Sequence, residues 1–174
     1  MFENIEQMEG VIIMAIFDVK KEEDKDLIQL YRKLNYITNC CATTNNLIYG
    51  SSVSVVEPYE EMEAVTIAFN NIDLDVYKHC VLSIEEDEEI DILDFKDLAI
   101  AVGELIGNFN GHFQVLMAVH MNTDNLHVHY VVNMTDYLNG KRLDVQGKKL
   151  YELKDQISFL LEKWGLKGIR RKNK

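Results

Sequence analysis

Proline occurs once in the 174 residues, and no stretch is rich in serine and glycine, so the chain offers no linker at which to divide it. Internal repeats and low-complexity segments are also missing, which leaves one domain as the expectation, long enough to bury a substantial core. Long apolar runs are absent as well. Residues 11–17, the longest such run near the start, fall far short of the roughly 20 residues a membrane helix needs. The first ten residues carry three glutamates and no lysine or arginine, the wrong charge for a signal peptide. The only cysteines, Cys40, Cys41 and Cys80, are odd in number and show no Cys-x-x-Cys spacing. That excludes a paired disulfide framework and predicts a cytoplasmic, reducing setting with free thiols.

Positive charge is scarce in most of the chain. Residues 1–110 hold 7 Lys and Arg against 23 Asp and Glu, and the whole carries a net charge of −11. This counts against a nucleic-acid partner, because affinity for DNA comes largely from Lys and Arg meeting phosphate. Residues 111–174 run the other way, with 11 basic residues against 6 acidic ones. The basic part begins where the most informative stretch begins.

That stretch is residues 115–133. It holds three of the five histidines, His120, His127 and His129. Short apolar, β-branched runs at 115–119 and 128–132 flank a polar segment at 121–126, which is the pattern of a β-hairpin. Residues two apart on a strand share a face at roughly 6.5–7 Å, so His127 and His129 project together. Antiparallel return brings His120 beside them. Three neutral imidazoles converging from a hairpin make an open coordination sphere, a type more often catalytic than structural. A single histidine in an apolar strand is usually a satisfied core residue. Three within ten positions are costly to bury unless something uses their lone pairs.

The pattern His120-x6-His127-x-His129, with Asp124 between and Val131-Val132-Asn133 after, resembles the histidine motif of the relaxases, or mobilisation nucleases. These are HUH-type tyrosine endonucleases that nick plasmid and conjugative-element DNA. Tyr36-Ile37-Thr38-Asn39 is similar to the family's nucleophile motif. Where many relaxases of this group continue with Pro-Glu-Lys-Thr, this chain reads Cys40-Cys41-Ala42-Thr43, so no lysine stands there for a DNA contact. The resemblance also implies a long C-terminal region that this chain lacks, so a nuclease-domain fragment or a minimal protein is expected.

Read in order, residues 11–17 predict a buried strand and 20–26 a solvated loop leading into a helix. Leu27, Leu30, Tyr31, Leu34 and Ile37 fall on one helical stripe. On a helix Tyr36 lies roughly opposite Leu27, with its hydroxyl free, whereas Tyr31 lies on the stripe and is expected in the core. A strand with a tight approach at Gly50 is expected over 47–56, and a helix over 60–70 buried through Met62, Val65 and Phe69. A strand over 76–84, an acidic surface run at 85–94 and a helix over 92–106 follow. Gly140-Lys141-Arg142 reads as a basic turn and 149–164 as an amphipathic helix ended by Gly165. Residues 167–174 read as a basic, disordered tail beyond a domain of residues 1–166. The expected fold is α+β, a central antiparallel sheet with helices on its faces. The resemblance implies about five strands, HUH-endonuclease-like.

In a relaxase-like reading His120, His127 and His129 hold a divalent metal that polarises the scissile phosphate. All-nitrogen ligation accepts Zn²⁺, Mn²⁺, Ni²⁺ and Co²⁺, and the resemblance implies Mg²⁺ or Mn²⁺. Asp124 either orients a histidine ring or shapes the hairpin turn. Tyr36 would be the nucleophile, with Tyr31 as runner-up, and a phenol near pKa 10 must lose its proton on attack. The implied product is a 5′-phosphotyrosyl bond, and the implied partner is single-stranded DNA at a transfer origin, together with relaxosome accessory proteins. Lys141, Arg142, Lys148, Lys149 and the tail Arg170, Arg171 and Lys172 are candidate phosphate contacts. Two rivals remain open: a relaxase-like domain that binds DNA or transfer proteins without cutting, and a three-His metal hydrolase acting on small molecules. His112 is expected in a loop, and His79 on a strand, near the site at best.

Overall fold

The computed structural model describes residues 15–84, 90–123 and 125–169. The strands are β1 (Ile16–Val19), β2 (Ile48–Ser51), β3 (Tyr77–Ser83), β4 (Val115–His120) and β5 (His127–Asn133). The helices are α1 (Leu27–Ile37), α2 (Pro58–Ala68), α3 (Ile92–Gly107) and α4 (Gly147–Lys163). The strands form one antiparallel sheet in the order β1-β3-β5-β4-β2, the α+β architecture expected. Among the described strands, β4 and β5 alone are consecutive in the chain and adjacent in the sheet.

Alternation along the strands sorts side chains between two cores. Val128, Tyr130 and Val132 of β5 join Val115, Met117 and Val119 of β4 on one face, under α3 and α4. Val131 of β5 and Leu116 and Ala118 of β4 turn to the other face, under Leu30, Leu34 and Ile37 of α1 and Met62 of α2. His120, His127 and His129 share the parity of the second face. Since β5 lies between two strands and both its faces are covered, its apolar run is continuous.

The helix ends follow local chemistry. Asp26 and Asp91 cap α1 and α3 by accepting from the amides of Gln29 and Leu93, each at 2.8 Å. The one proline opens α2, where its missing N–H is no loss. Asn133, fully buried, clamps α2 to the sheet. Its amide donates to the Met62 carbonyl and to Gln114 Oε1, each at 3.0 Å, and its oxygen accepts from the Thr66 hydroxyl at 3.3 Å and the Thr135 amide at 3.0 Å.

Several expectations need correction. The strand read over 47–56 stops at Ser51, because Ser52 takes φ +56° and turns the chain. Gly50 is tight as expected, with the Val53 carbonyl where a Cβ would be. Tyr31 is 52% exposed, not core, because α2 lies beside α1 and receives it edge-on against Tyr59 at 5.4 Å. Helix α2 buries Met62 and Thr66, whereas Phe69 is exposed over Gly140, whose φ is +72°. The tail does not loosen at residue 167. Ile169 is buried in the α3/α4 core and bridges Ala15, while residues 170–174 lie outside the described residues. So do 11–14 and 85–89, which held parts of the expected first strand and acidic run.

Replacing Asn133 by Ala removes four hydrogen bonds and takes their partner from one buried acceptor, Gln114 Oε1, and one buried donor, the Thr135 amide, while the Met62 carbonyl keeps the Thr66 hydroxyl. The expected loss is about 3 kcal/mol, read as a lower urea midpoint at unchanged slope. A midpoint within error of wild type would show the clamp to be dispensable.

Candidate metal centre and nucleophile

The hairpin register places His120 directly opposite His127, and His129 opposite Ala118. One ring nitrogen of each of the three histidines lies within 4.8 Å of the others, the arrangement of a metal-binding group. Ring centroids are 4.3 Å apart for His120 and His129, 5.1 Å for His127 and His129, and 5.3 Å for His120 and His127. His120 and His129 are buried and His127 is half-buried, so the group opens to one side.

Two of the rings are oriented by backbone carbonyls. His120 Nε2 donates to the Ile37 carbonyl at 2.8 Å, which leaves the Nδ1 lone pair free. That carbonyl ends α1, so the bond also ties the helix to the histidine strand. His127 Nδ1 donates to the Asn125 carbonyl at 3.0 Å, which leaves Nε2 free. His129 differs. Its Nδ1 lies 2.8 Å from Nε2 of His79, and its Nε2 is buried with no hydrogen-bond partner among the described residues.

A buried, unpartnered imidazole nitrogen is costly to leave bare. Here it faces two other free lone pairs, and an all-nitrogen donor set of this kind suits a divalent transition ion. Protonation does not interfere at neutral pH. Burial, together with the neighbouring histidines, holds His129 down to about 3. Burial and the Lys33 charge hold His79 down to about 4, although Glu22 opposes them. Burial also lowers His120.

Tyr36 sits over this group on the last turn of α1. Its ring meets His129 edge-on at 5.6 Å between centroids and His120 at 6.2 Å, and it is 53% exposed. Tyr31 lies about 7.5 Å further back along the helix axis, against Tyr59, and is not part of the group. A cavity of about 500 Å³ opens between Tyr36 and the histidines, walled by Lys20, Lys21 and Lys33 with His127 and His129. The Lys33 ammonium stands 5.3 Å over the Tyr36 ring.

The other residues expected at the phosphates are not brought here. Lys141 and Arg142 follow the far end of β5, which alone carries the chain about 13 Å from His129 to Asn133. Arg142 is engaged there with the Asp75 carbonyl. Lys148 and Lys149 lie on α4, across the sheet from the histidines, beside Glu152 and Asp144. Asp124, Arg170, Arg171 and Lys172 lie outside the described residues. His112 is in a loop beside Asp136, as expected.

Sequence reasoning missed Glu22 and gave His79 no more than a strand position near the site. His79 is a diagonal neighbour of His129 across the β3–β5 pair, which only the register reveals. A histidine alternating with Tyr77 and Val81 in a strand was the available signal. Glu22 was hidden in a charge run that reads as solvated, yet its side chain is only 19% exposed and meets Lys33 at 2.6 Å and His79 at 3.2 Å.

The relaxase family described as MobA/VirD2-like, nuclease domain, matches residues 36–166. Among solved structures the fold is similar to the MobM relaxase domain (MOBV; Mob_Pre), manganese-bound with oriT DNA of plasmid pMV158. That match has 14% identity, covers 91% of this chain and 90% of the other, and gives a TM-score of 0.64. A second MobM structure, with 26-nucleotide pMV158 oriT DNA, matches at 15% identity over 91% of each chain with a TM-score of 0.61. A structure from work on vancomycin resistance transfer in Staphylococcus aureus matches at 14% identity over 92% and 100% of the two chains, at 0.58. None of the curated proteins matches the sequence.

The buried histidines make metal-free stability depend on pH. Folded-state values below the ordinary 6.5 mean that the unfolded chain binds protons first. Their contribution is therefore complete above pH 6.5 and declines as the pH falls toward about 4 and about 3. In chelator, the wild-type melting temperature should fall between pH 6.5 and 5, and that of His129→Gln should fall less. Equal slopes would contradict the burial argument.

Proposed function

The chain belongs to the MobA/VirD2-like relaxase nuclease-domain family, and on that premise we propose that it nicks single-stranded DNA at a transfer origin with Tyr36 as nucleophile and His120, His127 and His129 holding a divalent ion. Family membership makes it a DNA-nicking endonuclease. The observation that carries the finer assignment is the seat of Tyr36, half-exposed and edge-on to His129 at the open side of the three-histidine group.

The residues fit an ion. Each imidazole has one nitrogen engaged and one facing inward, and the inward nitrogen of His129 is otherwise bare. Of the two ions the resemblance implies, imidazole ligation favours Mn²⁺ over Mg²⁺. The manganese in the MobM structure supports the same choice. When bound, the ion supplies Lewis-acid stabilisation of charge on a non-bridging phosphate oxygen.

The chain's own residues perform the rest. The Tyr36 oxygen forms a bond to phosphorus as the bond from phosphorus to the 3′ oxygen breaks. The phenol gives up one proton and the departing 3′ oxygen takes one up, so the step is proton-neutral. The product is a 5′-phosphotyrosyl bond and a free 3′-hydroxyl. Phosphodiester energy is kept, and the nick can be resealed. The Ile37–His120 bond fixes the end of α1, which holds Tyr36 at a constant height over the histidines. The Lys33 ammonium places positive charge beside the ring. Lys20, from its ion pair with Asp18, and Lys21, beside Glu22 on the cavity wall, take over the phosphate binding that Ala42 does not offer.

Single-stranded oligonucleotides tiled across the element that encodes the chain, incubated with Mn²⁺ and run on a denaturing gel, test this. Wild type and Tyr31→Phe should give a covalent protein–DNA band. Tyr36→Phe should give none, and in His127→Ala the yield should fall about 100-fold. Adduct persisting in Tyr36→Phe would move the nucleophile elsewhere. No band in any lane would favour the non-cutting rival.

For the cavity wall, the double variant Lys20→Ala/Lys21→Ala should reduce the slope of log binding constant against log salt by about 1.4, at about 0.7 for each phosphate no longer neutralised. An unchanged slope would place the DNA strand elsewhere.

A further inference from the structure

We propose that Glu22 and His79 form a positioning relay that fixes the proton of His129 on Nδ1, so that its Nε2 lone pair faces the centre of the histidine group. The inference rests on reading His129 as a metal ligand and assigns roles to two residues outside the triad.

The argument starts from a difference among the three rings. A backbone carbonyl only accepts, so a single bond to Ile37 or Asn125 settles the tautomer of His120 or His127. His129 has no carbonyl. Its Nδ1 meets another imidazole nitrogen, His79 Nε2, at 2.8 Å, and either ring can donate. In one arrangement His129 donates from Nδ1 and keeps a lone pair on Nε2. In the other His79 donates, the proton of His129 sits on Nε2, and that nitrogen cannot serve as a ligand.

The far side of His79 decides between them. Its Nδ1 lies 3.2 Å from Glu22 Oε1. Burial works to raise the Glu22 carboxyl, but the Lys33 ammonium at 2.6 Å, with the neighbouring Tyr77, outweighs it and holds the group below its usual range. At neutral pH Glu22 is therefore a carboxylate that only accepts, and the His79 proton lies on Nδ1. Neutral His79 then presents a lone pair at Nε2 and must accept from His129. The His79 and His129 rings, 17° from parallel with centroids 5.1 Å apart, meet edge to edge and are held in register by β3 and β5.

The same carboxylate has a second load. Lys33, at 2.6 Å, is held by Glu22 in the position from which its ammonium reaches 5.3 Å over Tyr36. Glu22 thus links the loop before α1, the nucleophile's helix and, through His79, the strand that carries His129. Neither Glu22 nor His79 touches the reacting atoms; both act through other residues.

Two measurements on the full chain test the relay. In metal-free protein with ¹⁵N-labelled histidine at pH 7, long-range nitrogen–proton correlation should show His129 protonated at Nδ1. His79→Phe and Glu22→Ala should shift it toward the Nε2 form or a mixture. His79→Gln should restore the wild-type tautomer, because its amide oxygen accepts where Nε2 did. In a Mn²⁺ titration followed by electron paramagnetic resonance, His79→Phe should weaken binding about 10- to 100-fold, and His79→Gln should stay within about threefold of wild type. A wild-type His129 protonated at Nε2 would overturn the relay. So would unchanged tautomer and affinity in both His79→Phe and Glu22→Ala, two variants at separate positions. A wild type that binds no Mn²⁺ yet keeps the Nδ1 proton and loses it in His79→Phe would support the relay and overturn the metal reading instead.

Discussion

The register of β5 between β3 and β4 is the constraint on which the rest of the molecule depends. Side chains alternate along a strand, so a slip of one residue would exchange everything on the two faces. His127 and His129 would then enter the apolar core under α3, and Val128 and Tyr130 would take their place beneath Tyr36. Burying those imidazoles among Phe95, Leu98 and Val102 would leave several polar atoms without partners. The apolar pattern on one face therefore enforces the polar geometry on the other. Asn133, at the end of the same strand, adds a check, because its bonds to Met62, Thr66 and Gln114 form in one register only.

The electrostatics follow a local logic that the net charge of −11 conceals. Within the site burial keeps His79, His120 and His129 neutral, and Glu22 and Lys33 face each other at its edge. Lys20 and Lys21 extend that edge along the cavity. An acidic protein can in this way present a basic wall to phosphate, since screening in salt reduces the influence of charges farther than about 8–10 Å. A phosphate in the cavity would feel chiefly the charge within that radius.

Much of this was legible in the sequence, and the parts that were not share a cause. The hairpin, its three histidines and the free face of Tyr36 rest on local periodicity, which the chain displays openly. The class of fold followed from strands and helices whose ends carry ordinary signals, such as Asp26, Asp91 and Gly165. Tyr31 was misplaced because its exposure is decided by where α2 lies, a tertiary fact. The basic residues at 141–149 were grouped with the site by sequence proximity to the hairpin, whereas the fold sends them to the far end of a strand and across the sheet. The roles of His79 and Glu22 were missed for the converse reason. They are 50 and 107 residues from His129 in sequence, and His79 meets it through pairing of β3 with β5 while Glu22 reaches His79 through the return of the β1–α1 loop.

The strand order has a consequence for the chain as it is being made. Until β5 leaves the ribosome, the sheet consists of two separate ribbons, β1 with β3 and β2 with β4, and two-stranded ribbons are marginal by themselves. His79 belongs to one ribbon and His120 to the other. The last strand synthesised is the one that joins them, and it brings His127 and His129 with it. Tyr36 is therefore translated about 90 residues before the histidines it faces are in place. A nascent or truncated chain that stops short of residue 127 carries the tyrosine and lacks two of the three histidines, so the histidine group is completed in one step, with the keystone strand.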